Sequence, residues 1–272
     1  ADGSRVWSID IAGKFSGQVP RYGYSESLLI DGNHLICSPG GPKGYMVALN
    51  KKTGKTIWAN TDINEEPGYN SPILVEDRGL RQIITMTTLG VVAVNADTGE
   101  LLWKMGLTNK RKLNIANPFY RDGYVCISSG YGGGTMLIKL TYKDKKVTAQ
   151  KVWFNEELDN HHGGIMCLND YVYGTGHNRR GWICLDFKTG KTLFRDREAG
   201  KGSFMLADGL FYYLTEKGMM NLVKPSPGSF QTVGGFQVPK EGRGYFWAHP
   251  VVCDGRLYVR YDTRLYAYRV KK

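Results

Sequence analysis

Three stretches of this chain are near-copies of one another. They are residues 46–58 (MVALNKKTGKTIW), 91–103 (VVAVNADTGELLW) and 182–194 (WICLDFKTGKTLF). Each reads as an apolar strand, a turn carrying Asn or Asp and then Thr-Gly, and a second strand that ends in a large aromatic. Glycine at such a turn supplies a positive φ without a steric penalty. Weaker copies fill the gaps. Residues 136–153 carry a charged tip at Asp144, Lys145 and Lys146, and residues 219–236 turn through Pro225, Pro227 and Gly228. Residues 1–7 read as the tail of one more copy and residues 265–270 as the head of one.

A second pattern precedes each of these. Two apolar strands flank an Asp-Gly turn at 27–37, 117–127, 203–214 and 249–260, with variants at 71–85 and 164–174. Two hairpins in series make a four-stranded antiparallel meander. The aromatics that close the last strands are Trp7, Trp58, Trp103, Trp153, Phe194 and Phe236, spaced 41 to 51 residues apart. A four-stranded unit at that period is the signature of a β-propeller. The repeat therefore predicts an all-β protein: one propeller domain over residues 1–272, with six four-stranded blades. The N-terminal strand is expected to complete the last blade and so remove two sheet edges. The alternative expectation is a fragment of a seven- or eight-bladed propeller.

Composition agrees. The 35 Gly, 17 Tyr and 6 Trp among 272 residues suit many tight turns between short aromatic strands. With 42% hydrophobic and 22% charged residues the chain is not disordered. No stretch approaches the roughly 20 apolar residues of a membrane span. The net charge of +11 is spread over single Lys and Arg, so no nucleic-acid partner is expected. Five Cys without a CxxC pair, at 37, 126, 167, 184 and 253, each sit in an apolar run. They are expected to be reduced and mostly buried. No signal peptide opens the chain.

In a propeller the first strand of each blade lines the central channel, so residues entering those strands gather at one mouth. The entries hold Glu26, Asn70, Asn117, His161, His162, Lys201, Trp247 and His249. Polar groups converging on a concave surface are the expected ligand-binding set. The competing reading is that such residues satisfy neighbouring backbone, with Asn70 and Asn117 as turn residues. His161 and His162 precede Gly163 and Gly164, which would let a ligand approach the backbone closely. Imidazoles titrating near pH 6.5 would tighten binding of an anionic or hydroxyl-rich ligand as the pH falls toward 6. No local metal-ligand spacing such as HxxxH is present, so no metal is expected. No catalytic residue can be assigned. The glycine run at 132–134 follows a strand and reads as a turn rather than a phosphate loop.

The repeat, above all ALNKKTGKTIW at 48–58, resembles that of pyrroloquinoline-quinone (PQQ)-like propellers. These include quinoprotein alcohol dehydrogenases and the propeller lipoprotein of the outer-membrane barrel assembly machine. Segments 23–27, 160–164, 200–203 and 247–250 resemble a bacterial polyvinyl-alcohol-dehydrogenase-like subgroup. The resemblance implies a propeller exported to the periplasm, PQQ and calcium as cofactors of its dehydrogenase members, and protein partners on rim loops in the assembly lipoprotein. Two features depart from the dehydrogenases. No two Cys are adjacent, and the Glu, Asn and Asp that hold calcium do not map to one place. The expected function is an exported binding or scaffold module for a small polar molecule, a glycan or a peptide. A quinone- or metal-dependent dehydrogenase of alcohols or sugars and a protein-assembly scaffold are the alternatives.

Overall fold

A computed structural model describes residues 2–144 and 146–270. Ala1, where the expected closing strand begins, and Lys145, at the charged hairpin tip, lie outside them. Among the described residues the chain forms antiparallel meander sheets in sequence order, spanning 29–59, 73–106, 119–155, 160–196, 202–237 and 251–269. The first five are four-stranded and the sixth is three-stranded. The chain divides into two compact units: residues 1–129 with 136–153, and residues 130–135 with 154–272.

Turn chemistry sets the strand boundaries. The opening hairpins of three sheets turn on Asp-Gly pairs with both φ positive, at Asp122 (+48°) and Gly123 (+83°), Asp208 (+48°) and Gly209 (+77°), and Asp254 (+49°) and Gly255 (+69°). That is the twist-matched two-residue turn. In the Thr-Gly turns the preceding side chain accepts the tip amides. Asn95 Oδ1 receives Asp97 N at 2.8 Å and Thr98 N at 3.1 Å, as Asn50 does for Lys52 and Thr53.

Two of the closing aromatics, Trp58 and Trp7, dock on the Thr-Gly turn of the following repeat. In the first unit the Trp58 ring lies against Gly99 so closely that a Cβ there would stand 2.5 Å from it. Its indole N–H donates to Ala96 O at 3.1 Å, and Asn60 Nδ2 donates to Gly99 O at 2.8 Å. Trp7 repeats the arrangement on Gly54, with Nε1 donating to Lys51 O at 3.0 Å. Ile84, Val91, Trp103, Val125, Ile127 and Ile138 form the apolar core between the second and third sheets. The second unit has an aromatic core in which Tyr173, Trp182, Phe204, Phe211 and Tyr213 pack at centroid distances of 4.9 to 5.8 Å. Trp182, which opens the third repeat, is 1% exposed.

One expectation is corrected. Residues 2–10 form no strand, and the sixth sheet keeps its three strands, Val251–Cys253, Arg256–Tyr261 and Arg264–Arg269. The N-terminal segment is committed elsewhere. Trp7 docks on the first sheet, and Asp10 caps a short helix, Ile11–Phe15, by accepting Gly13 N at 3.0 Å. That helix packs on Cys37, Val47 and Leu49. None of the five cysteines is in a disulfide. Cys37, Cys126 and Cys184 are buried and Cys167 is half-buried. Cys253 is exposed because it shares the outer side of its short strand with Val251.

Candidate functional site

Two hairpins of the second unit and the loops beside them bring a polar cluster together. In the fifth sheet Gly202–Ala207 pairs with Leu210–Thr215, Gly202 opposite Thr215. One step further out, Lys201 faces Glu216, whose N–H donates to Lys201 O at 2.9 Å. In the fourth sheet Asn160 pairs with Gly176, and a register shift follows before Ile165 pairs with Gly174. The extra residues of this bulge present His161 and His162 side by side, with ring centroids 5.2 Å apart. Gly163 and Gly164 serve the fold. A Cβ on Gly163 would collide with Gly202 O, and one on Gly164 (φ +77°) would stand 3.3 Å from the His249 ring. The 130–133 turn, with Tyr131 and Gly132 at positive φ, brings the Tyr131 ring to 4.8 Å from His161 and 4.3 Å from His177. Asp159 pins this arrangement by accepting Gly132 N at 2.9 Å, His177 N at 2.8 Å and Asn178 N at 2.9 Å.

Lys201 is the hub. Its Nζ lies 3.2 Å from His161 Nδ1, 3.3 Å from His177 Nδ1 and 3.0 Å from Glu216 Oε1. An ammonium has three protons and no lone pair, so all three are committed and both Nδ1 atoms must accept. His161 and His177 are thereby fixed as Nε2–H tautomers. His161 Nε2–H donates to Tyr131 OH at 2.9 Å. Glu216 Oε1 also accepts His162 Nε2 at 3.1 Å and the Trp247 indole N–H at 2.7 Å. His162 therefore carries its proton on Nε2. Its Nδ1 is a buried acceptor with no partner among the described residues. His249 Nε2 donates to His162 O at 2.9 Å.

Electrostatics follow from that packing. Burial, then Lys201 and the neighbouring imidazoles, push His161 down to about 3. Burial lowers His162 against the pull of its bond to Glu216, and burial with Lys201 lowers His177. Burial opposes ionisation of Glu216, but the bonds from His162, Lys201 and Trp247 bring it down to about 2. Charging of the imidazoles is thus moved below the expected range near pH 6.5 for these three, by desolvation beside a fixed ammonium.

Lys201 and Glu216 also wall a cavity of about 770 Å³, together with Arg180, Arg197, Lys217 and Tyr245. Tyr245 and Trp247, 60% and 52% exposed, stack at 5.9 Å and 17° beside it.

Of the residues singled out from the sequence, His161, His162, Lys201, Trp247 and His249 meet in this cluster. Glu26, Asn70 and Asn117 belong to the first unit, where each holds backbone. Glu26 Oε1 accepts Ser38 N at 2.6 Å, and burial raises its carboxyl above the usual range despite that bond. Asn70 is 3% exposed and bonds Met86 O, Met86 N and Thr85 Oγ1. Asn117 Oδ1 accepts Ser71 N at 2.7 Å. The sequence reading left out Glu216, His177 and Tyr131. Counting outward from the Asp208-Gly209 turn would have placed Glu216 opposite Lys201.

The cofactors of quinoprotein dehydrogenases do not fit these residues. Calcium takes six to eight oxygen ligands, whereas the cluster offers mostly imidazole nitrogen and one carboxylate whose Oε1 already holds three donors. Among the described residues no group of His, Cys, Asp and Glu is arranged to hold a metal ion, and no two Cys are adjacent in sequence.

Successive four-stranded meanders, with Trp7 and Trp58 seated on Thr-Gly turns, define a β-propeller of the PQQ-like class. The chain belongs to the family described as outer membrane protein assembly factor BamB, whose profile matches residues 1–196. Solved structures share the fold. BamB from Moraxella catarrhalis is 17% identical with a TM-score of 0.65, covering 88% of this chain and 67% of that one. Quinohemoprotein alcohol dehydrogenase from Comamonas testosteroni is 12% identical with a TM-score of 0.56, covering 87% and 51%. Dihydro-heme d1 dehydrogenase NirN is 12% identical with a TM-score of 0.56, covering 88% and 52%. The chain thus spans two thirds of the BamB and about half of each dehydrogenase. No curated protein matches the sequence.

Proposed function

We propose that residues 1–272 act as one exported propeller domain that binds a small polar ligand where His161, His162, His177, Lys201, Glu216 and Trp247 meet the adjoining cavity. The observation that carries this reading is the state of Lys201. Its three protons and Glu216 Oε1 are all taken up by protein partners. The cluster is therefore a preorganised wall rather than a set of groups poised to transfer protons, and preorganisation lowers the cost of binding. Export accords with the family's outer-membrane description. No helix of the described residues is long and apolar enough to cross a membrane.

The test is a melting-temperature screen of the protein against sugars, dipeptides and dicarboxylates. A ligand that raises the melting temperature of the natural protein but not of Trp247→Ala supports a binding module at this site. Dye-linked oxidation of alcohols or sugars after incubation with PQQ and Ca²⁺ would overturn it in favour of a dehydrogenase.

The family description favours a second reading, in which rim loops hold protein partners of an assembly machine. Capture of an outer-membrane assembly component that persists in Trp247→Ala would separate that role from the ligand site.

A further inference from the structure

Resting on the binding reading above, we infer that the ligand of this site is a neutral, hydroxyl-rich carbohydrate seated on the Tyr245–Trp247 rings. Three independent features point to that chemistry. The first is the aromatic pair. Exposed, near-parallel rings are costly to leave in water; Tyr245 lines the cavity and Trp247 stacks on it. A pyranose presents a flat face of C–H groups that covers such rings without needing charge. The Trp247 indole packs against the His161, His162 and Tyr245 rings and gives its N–H to Glu216 at 2.7 Å, yet half of its surface stays exposed to take such a face.

The second feature is what the locked tautomers leave over. His162 has a side chain 9% exposed, and its Nδ1 is buried without a donor. A buried acceptor with no donor is an unmet demand for an O–H or N–H group. Its ring lies 5.5 Å from that of Trp247, so a sugar seated on the indole carries its hydroxyls toward this acceptor. His177 offers the complement. Its Nδ1 accepts from Lys201, which leaves Nε2–H without a protein acceptor among the described residues. One free acceptor and one free donor match the sugar hydroxyl, which gives one hydrogen bond and accepts another.

The third feature is charge. Lys201 and Glu216 neutralise each other at 3.0 Å, and the histidines around them stay uncharged. The cluster therefore presents no unpaired charge to a ligand, and the cavity's other cations, Arg180, Arg197 and Lys217, share its lining with the carboxylates of Asp196 and Glu198. An anion would have to break the three bonds of Lys201 to reach its ammonium, whereas a hydroxyl needs none of them. A cavity of about 770 Å³ holds two or three sugar rings.

The experiment is calorimetric titration of the full chain with cellotriose, maltotriose and chitotriose as neutral probes, and with trigalacturonate, succinate and trialanine as the others. Binding of at least one neutral trisaccharide is expected, weakened at least tenfold in Trp247→Ala and in His162→Phe, with tryptophan fluorescence quenched only in proteins that retain Trp247. The quench separates loss of stacking from loss of fold, because Trp58, Trp103, Trp153 and Trp182 remain as internal reporters. Binding of trigalacturonate, succinate or trialanine alone, lost in Trp247→Ala, would overturn the carbohydrate assignment and leave the binding site in place. Absence of binding by all six probes together with an unchanged melting temperature would overturn both.

Discussion

His161, His162 and His177 illustrate how far a side chain's surroundings override its type. Read as isolated imidazoles they would switch near pH 6.5. Packed around an ammonium they are held neutral, and that has a measurable consequence for stability. The folded pKa of His161 is about 3, against an ordinary 6.5. Below pH 6.5 the unfolded chain takes up a proton that the folded one refuses. Stability is therefore complete above pH 6.5 and is lost as the pH falls toward 3, by up to ~1.4 kcal/mol per pH unit for this histidine. Glu216, held at about 2 against 4.5, acts in the same direction at lower pH: its stabilisation is present above 4.5 and fades as the pH falls toward 2. Chemical unfolding of the natural protein should show a midpoint that declines steadily from pH 6.5 to 4.5, and His161→Gln should flatten that decline. An identical slope in the variant would show that His161 is not held neutral. Lys201→Met tests the hub. It leaves two Nδ1 acceptors without a donor and Glu216 without its cation, and should cost about 2–4 kcal/mol in the same assay. A cost below ~0.5 kcal/mol would mean that the ammonium is not engaged as described.

At the scale of the element, what could be read from the chain was its turn chemistry and hence its strand order. Thr-Gly at 53–54, 98–99 and 189–190 marks turns whose glycines all have positive φ. The aromatic four residues after each glycine closes a sheet, and Trp58 docks on the next turn. Glu216 was equally legible, because the 203–214 hairpin has a two-residue turn and a regular register. His177 was not. The bulge between Asn160 and Ile165 shifts the pairing by three positions, and nothing in the string NHHGG announces how many residues a bulge will absorb. The docking claim can be tested with a matched pair of substitutions. Gly99→Ala places a methyl on the Trp58 ring at a φ of +78° and should destabilise the protein by about 2–4 kcal/mol. Gly79→Ala has a similar φ of +76° and open space around its Cβ, so only the backbone strain of about 1–2 kcal/mol applies. Equal costs in denaturant titrations would remove the ring–glycine contact as a cause.

For the whole molecule, the repeat made the propeller class readable, but not the path of the N-terminal segment. Trp7 carries the motif's closing aromatic and finds the motif's partner on Gly54. Its strand does not form, because Asp10 diverts the chain into a helix that packs on the first sheet. Periodicity records which side chains dock and is silent on a competing helix cap. Deleting residues 2–10 should lower the melting temperature by several degrees through loss of Trp7, whose burial is worth about 2 kcal/mol. Amide exchange in Arg264–Arg269 should be unaltered. Faster exchange confined to that strand would show that the deleted segment pairs with it after all.

The Lys201 ammonium fixes the tautomers of His161 and His177, the Glu216 carboxylate beside it fixes that of His162, and together they define what the site can bind. This central claim is tested most directly by imidazole ¹⁵N NMR of the full chain between pH 5 and 7.5. His161 should appear throughout as a neutral ring protonated on Nε2, His177 should show that same tautomer and charge only below the ordinary imidazole range, and His162 should show the same tautomer with an Nδ1 shift that changes only when a hydroxyl-bearing ligand is added. Three rings that titrate together near pH 6.5, with averaged tautomers, would contradict it.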